Sequence, residues 1–129
     1  RAVEGEPLTV YEPGTQSRNF IHVKDVARVY VRSAERLLDS LAAGETGATA
    51  YEGASDEDPS VQAVAETVSS LAGEELGDEP EVTLVENPRT GETMVEEFSV
   101  DTSRTQDELG WRSTHTVEES VRELLGRRG

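Results

Sequence analysis

Cysteine is absent from the 129 residues, which excludes disulfides and thiolate metal sites. Lysine is nearly absent: Lys24 is the only one among 12 basic residues, and the rest are arginine. No apolar run approaches the roughly 20 residues that span a bilayer. No signal-peptide pattern opens the chain. With the lack of cysteine, this fits a cytoplasmic setting. No basic stripe exists to neutralise a phosphate backbone, so nucleic acid is not expected as a partner. No His, Asp and Glu cluster has ligand spacing, so no metal is expected. No Gly-x-Gly-x-x-Gly loop occurs, so the chain carries no dinucleotide cradle of its own. It does not begin with Met and opens in the middle of a helix-like run at Arg1, as expected of a piece of a longer chain.

What the sequence has in excess is acid. Asp and Glu total 27, and the net charge is −15. Such acidity often marks disorder, but here the acids are interleaved with periodic apolar residues and 34% of the chain is hydrophobic, enough for one modest core. Thermophiles gain Lys together with Glu, and this chain does the opposite. The expected setting is a halophile, of the haloarchaeal kind, because molar salt shortens the Debye length to about 3 Å and a dense acidic surface then repels itself little.

Leu8 to Tyr11 reads as a strand, followed by a turn at Pro13-Gly14-Thr15. Asn19 to Val23 reads as a second extended stretch, with Asp25 as a helix N-cap or first-turn acid. Val26, Val29, Tyr30, Ala34, Leu37, Leu38 and Leu41 then recur at helical spacing, up to a stop near Gly44. Ala48 to Glu52 reads as a short buried strand. Ser60 caps a second helix with Val61, Val64, Val68 and Leu71 on its apolar face. Val82 to Val85 is a strand candidate, and residues 88–92 a loop. Ser103 caps a short helix that ends at Leu109-Gly110. Thr116 and Glu119 form a capping box before the last helix. The pattern is a small mixed α/β domain with too few strands for a doubly wound sheet.

Four segments in order carry a resemblance. They are Gly14-Thr15-Gln16-Ser17-Arg18-Asn19-Phe20-Ile21-His22-Val23 with Asp25 after it; Tyr51-Glu52-Gly53; Arg89-Thr90-Gly91-Glu92; and Asp101-Thr102-Ser103-Arg104 with Leu109-Gly110-Trp111. Together they resemble the extended short-chain dehydrogenases, specifically the NAD-dependent epimerases and dehydratases, with UDP-glucose (galactose) 4-epimerase the nearest pattern. The resemblance implies that residues 1–129 are the carboxy-terminal nucleotide-sugar-binding part of a Rossmann-type enzyme. The amino-terminal domain, with its NAD site and catalytic Tyr and Lys, would lie upstream. No residue here is therefore expected to be catalytic or to bind NAD, and the piece alone is expected to be inactive. Asn19 departs from the Asp usual after the Arg, and Glu52 from the usual Asn.

The resemblance places Arg18 and Arg89 near the diphosphate. Guanidinium suits that work because its planar fork stays charged and meets phosphate oxygens bidentately. The bland alternative for either is an ion pair with one of the many carboxylates. Glu92 matches the acid used on ribose hydroxyls. Tyr11 falls where an aromatic packs near the nucleobase, with Val10 and its neighbours offering backbone contacts; an ordinary core aromatic is the rival reading. His22 reads as structural or exposed, Trp111 as packing beneath the last helix, and His115 has no partner motif. By resemblance the parent enzyme would oxidise sugar C4 with NAD and return the hydride to the other face of UDP-glucose or UDP-galactose. A dTDP-glucose 4,6-dehydratase or a related epimerase is the enzyme alternative. A non-catalytic sugar-nucleotide-binding or interaction module is the alternative of another class. Surfaces that such enzymes bury against their Rossmann domain would be uncovered here and could drive self-association.

Overall fold

The computed structural model describes residues 1–89, 91, 95 and 97–127. A turn of 3-10 helix at Ala2–Glu4 leads into strand β1 (Leu8–Tyr11) and helix α1 (Val23–Ala42). Helix α2 (Val61–Leu76), strand β2 (Val82–Val85), helix α3 (Ser103–Leu109) and helix α4 (Val117–Gly126) follow. This is the small mixed α/β architecture expected from the sequence. β1 and β2 pair in parallel, from Leu8 opposite Val82 to Tyr11 opposite Val85. A parallel pair needs a long crossover, and α1 and α2 both lie within it.

The core lies where α2 meets α4. Leu71 and Ala72 of α2 and Leu125 of α4 are buried together, with Ala2 and Val121 packed against them. Burying one such leucine contributes about 1.5–3 kcal/mol. The α2 N-terminus is as expected, with the Ser60 hydroxyl accepting from the Ala63 N–H at 3.1 Å. The capping box of α4 is also present: Thr116 Oγ1 accepts from the Glu119 N–H, and Glu119 returns the bond to the Thr116 N–H, both at 3.1 Å. Gly14 holds the layers close. Its φ is +73°, and a Cβ there would sit 3.1 Å from Leu84, 3.2 Å from Val10 and 3.3 Å from Gln62.

One local expectation is resolved and two are corrected. α1 begins at Val23, and its N-cap is His22, whose ring accepts from the Lys24 N–H at 3.1 Å. Asp25, expected as N-cap or first-turn acid, is the first-turn acid, and its carboxylate is taken by Thr114 and His115. At α3 the helix begins at Ser103 itself, and Asp101 accepts from the Ser103 N–H at 2.9 Å. Ala48 to Glu52 forms no strand, and residues 45–50 are exposed. Its apolar run has no neighbouring strand among the described residues, so its backbone has no ladder to join.

Asp25 is the main polar anchor. It is fully buried, and its carboxylate accepts from the N–H groups of Thr114 and His115, each at 3.0 Å, and from the Thr114 hydroxyl at 3.0 Å. Arg28 adds an ion pair at 3.1 Å. Trp111, expected to pack beneath the last helix, donates its indole N–H to the Asp25 carbonyl at 3.0 Å. Burial pushes the Asp25 carboxyl up, but the bonds from Thr114 and His115 outweigh it and hold the group below its ordinary value.

Most of the rest of α1 is exposed. Asp25 is its only buried residue, while Tyr30 is 73% and Leu38 66% exposed. A hollow of about 810 Å³ separates this face from residues 45–51. No helix is long and apolar enough to cross a membrane, among the described residues.

Candidate functional site

The segment after β1 cannot extend the sheet and instead runs antiparallel beside the start of α2. The Gln62 N–H donates to the Gly14 carbonyl and the Val61 N–H to that of Gln16, both at 3.0 Å. The Arg18 N–H donates to Pro59 at 3.3 Å and the Phe20 N–H to Glu57 at 3.4 Å. The Ser17 N–H faces the other way and donates to Val95 at 2.8 Å. Residues 16–20 are thus held from both sides, and the loop after β2 is brought to them.

Asn19 completes this bracket. Its amide nitrogen donates to the Ser55 carbonyl at 2.8 Å and to Asp58 Oδ1 at 2.7 Å. Its amide oxygen accepts from the Ser55 N–H at 3.0 Å. Glu57, between those partners, accepts from the Val117 N–H at 2.6 Å and so ties the same turn to the start of α4.

The bracket forms one wall of a cleft of about 460 Å³, lined by Gln16, Arg18, Glu52, Ala54, Val95 and Phe98 among others. That volume lies in the range of small-molecule sites. Arg18 is exposed at the wall, and no carboxylate among the described residues pairs with its guanidinium. Gln16 Oε1 is buried in the same wall without a hydrogen-bond partner among the described residues. A buried acceptor left open has a cost that a ligand donor would offset. Sequence reasoning missed Gln16, although it stands two residues before Arg18 in the matched segment.

The other expected residues are distributed around this cleft. Tyr11 is half-exposed at the carboxyl end of the parallel pair, and Val10 is buried beneath Gly14. The N–H groups of Leu8 and Glu12 donate to Glu81 and Val85 at 2.8 Å. Val10 shares their parity and faces β2, so Thr9 and Tyr11 present the open backbone edge. Arg89 is exposed on the loop after β2, where its N–H donates to Asn87 Oδ1 at 2.9 Å. It does not line the cleft beside Arg18. Glu92 lies outside the described residues. His22 and His115, read as having no chemical task, stack with ring centroids 4.2 Å apart. No group of three or more metal-ligating side chains converges among the described residues.

The architecture is that of a fragment of a larger Rossmann-type fold. The structure is similar to a UDP-N-acetylglucosamine 4-epimerase from Bacillus cereus, with TM-score 0.72 and 22% identity, covering 99% of this chain and 40% of that one. It is also similar to a UDP-glucose 4-epimerase from Thermotoga maritima solved with UDP-glucose, with TM-score 0.69 and 21% identity, covering 98% of this chain and 36% of that one. In sequence, the chain is 30% identical over 130 residues to a dTDP-glucose 4,6-dehydratase of Xanthomonas campestris pv. campestris, covering 97% of this chain. It spans 34% of that enzyme's length. Residues 1–45 match the model of the NAD dependent epimerase/dehydratase family.

Proposed function

We propose that the chain forms the nucleotide-sugar-binding portion of an NAD-dependent epimerase or dehydratase. The observation that carries this reading is Arg18: a guanidinium that meets no carboxylate among the described residues, on a braced wall of a 460 Å³ cleft, in a chain with 27 acidic residues. A cation left without a carboxylate amid so many suits an anionic ligand, and a sugar-nucleotide diphosphate matches its fork. Gln16 Oε1 would accept from a ligand hydroxyl, Arg89 and Glu92 would reach the ligand from the loop after β2, and Tyr11 would lie against the base.

The matched segment from Gly14 to Asp25 favours a UDP-glucose (galactose) 4-epimerase. The 30% identity to a dTDP-glucose 4,6-dehydratase over 97% of the chain favours a second reading, that dehydration. NAD would be held elsewhere, because the chain has no glycine-rich phosphate loop and its residues do not fit that cofactor. A Rossmann domain of the same enzyme would cover the apolar face of α1; without that cover, the face would drive self-association. Scarce lysine and absent cysteine suit the cytoplasm of a salt-accumulating cell.

The test is calorimetric titration of the full-length protein in molar KCl with UDP-glucose and with dTDP-glucose. Arg18→Ala and Arg89→Ala are each expected to weaken the tighter ligand about tenfold or more, the loss of one charge-assisted contact. A folded protein that binds neither nucleotide sugar, or whose affinity ignores both substitutions, would refute the proposal. The tighter of the two ligands chooses between epimerase and dehydratase.

A further inference from the structure

We infer that Asn19 is the positioning residue for Arg18, and that an amide is required there because Asp58 faces it. This rests on the reading of Arg18 as a ligand-binding cation. The orientation of the amide is fixed by chemistry. The Ser55 N–H needs an acceptor, so Oδ1 faces it, and the nitrogen must then meet the Ser55 carbonyl and Asp58 Oδ1. A carboxylate at position 19 could keep only the first of these bonds. It would set two anionic oxygens about 2.7 Å apart and leave the carbonyl of buried Ser55 without its donor. Like charges at that range disfavour each other strongly where water is scarce.

The consequence reaches the cleft through the chain itself. Asn19 is bonded covalently to Arg18, and its partners at 55 and 58 lie in the same short turn as the Glu57 and Pro59 carbonyls that hold the peptide groups of Phe20 and Arg18. Gly53 and Ala54, which line the cleft, immediately precede Ser55. If the residue 19 bracket opens, the Arg18 wall and the opposite lip are both released. The matched pair is then Asn19 with Asp58, and exchanging the two chemistries should preserve most of the bracket: an Asp at 19 still accepts from the Ser55 N–H, and an Asn at 58 donates to it.

The experiment is titration of the full-length protein with UDP-glucose and dTDP-glucose, with folding followed by near-ultraviolet dichroism and thermal melting. Asn19→Asp should weaken the tighter ligand about tenfold, the scale of one or two lost hydrogen bonds. Asn19→Asp with Asp58→Asn should recover to within about threefold of the parent, since the second change removes the repulsion that the first introduced. Asn19→Asp added to Arg18→Ala should cost little beyond Arg18→Ala alone, because residue 19 acts through Arg18. If Asn19→Asp does not fold, Asn19→Ala serves in its place: it should weaken binding similarly, and Asp58→Asn should not rescue it. A loss with Arg18→Ala but none with either change at Asn19 overturns the inference alone. A double variant that regains its melting temperature but not its affinity also overturns it. Indifference to Arg18→Ala defeats the reading of the site and removes the inference with it.

Discussion

The Arg122 guanidinium of α4 meets the Glu75 carboxylate of α2 at 2.6 Å, and the same side chain reaches Glu74 at 2.7 Å and Glu118 at 3.2 Å. One cation thus serves three acids across the helix pair that builds the core. The three bonds, that to Glu74 foremost, hold the guanidinium above its ordinary pKa. Single exposed ion pairs contribute little, but here removal leaves three carboxylates facing one another. Arg122→Ala is expected to lower the melting temperature by about 2–5 °C in dilute buffer. The deficit should shrink as KCl rises toward molar concentration, where the repulsion is screened. Melting curves across a KCl series check both.

Asp25 makes acid stability a local matter. Its folded-state pKa lies below the unfolded value, so its contribution is present above about pH 4 and is lost as pH falls through the depressed pKa. Asp25→Asn can keep its oxygen on the Thr114 and His115 N–H groups, which share Oδ2, but it removes the charge and turns an amide donor toward the Arg28 guanidinium at the other oxygen's place. It should cost about 2–4 kcal/mol at neutral pH. The gap between parent and variant should close as pH drops below about 4. Denaturant unfolding at several pH values measures that gap. A gap of constant size would place the stabilisation in packing and not in the charge.

Gly14→Ala puts a methyl group into contact with Leu84, Val10 and Gln62 at 3.1–3.3 Å while holding an L-residue at φ +73°. Crowding and the left-handed backbone together should cost about 2–4 kcal/mol. Because Gly14 opens the segment that carries Arg18, affinity for a nucleotide sugar should fall with stability. Equilibrium unfolding and titration of the same variant test the coupling.

Periodicity and caps made the regular elements legible. α1 and α2, the two strands and the Thr116 capping box all follow from local chemistry. The strand expected at Ala48 to Glu52 does not form, because a strand is a property of a pair and its apolar residues say nothing about whether a neighbour exists. The His22 cap was not legible for a related reason: local chemistry left Asp25 open as N-cap or first-turn acid, and it is the first-turn acid because Thr114 and His115 arrive from the far end of the chain to take its carboxylate. At the site, Arg18 and Arg89 were readable as cations suited to a diphosphate, but nothing local revealed that the cleft gathers Arg18 and not Arg89. Gln16 and the Asn19–Asp58 match were hidden because each depends on an atom about forty residues away or on the lack of one. Position 19 did stand out as an amide where an acid is usual, and Asp58 supplies the physical reason.

The hydrogen-bond partners of Asp25 at Trp111, Thr114 and His115 lie 86 to 90 residues further along the chain. Closing a loop of that length costs on the order of 4 kcal/mol in chain entropy before any bond is gained. During synthesis, α1 can wind as soon as it emerges, but its buried carboxylate must wait until nearly the last helix has been made. The beginning of α1 is thus enclosed only by residues made near the end of the chain, and its buried carboxylate is satisfied only once residues 111–115 have met it.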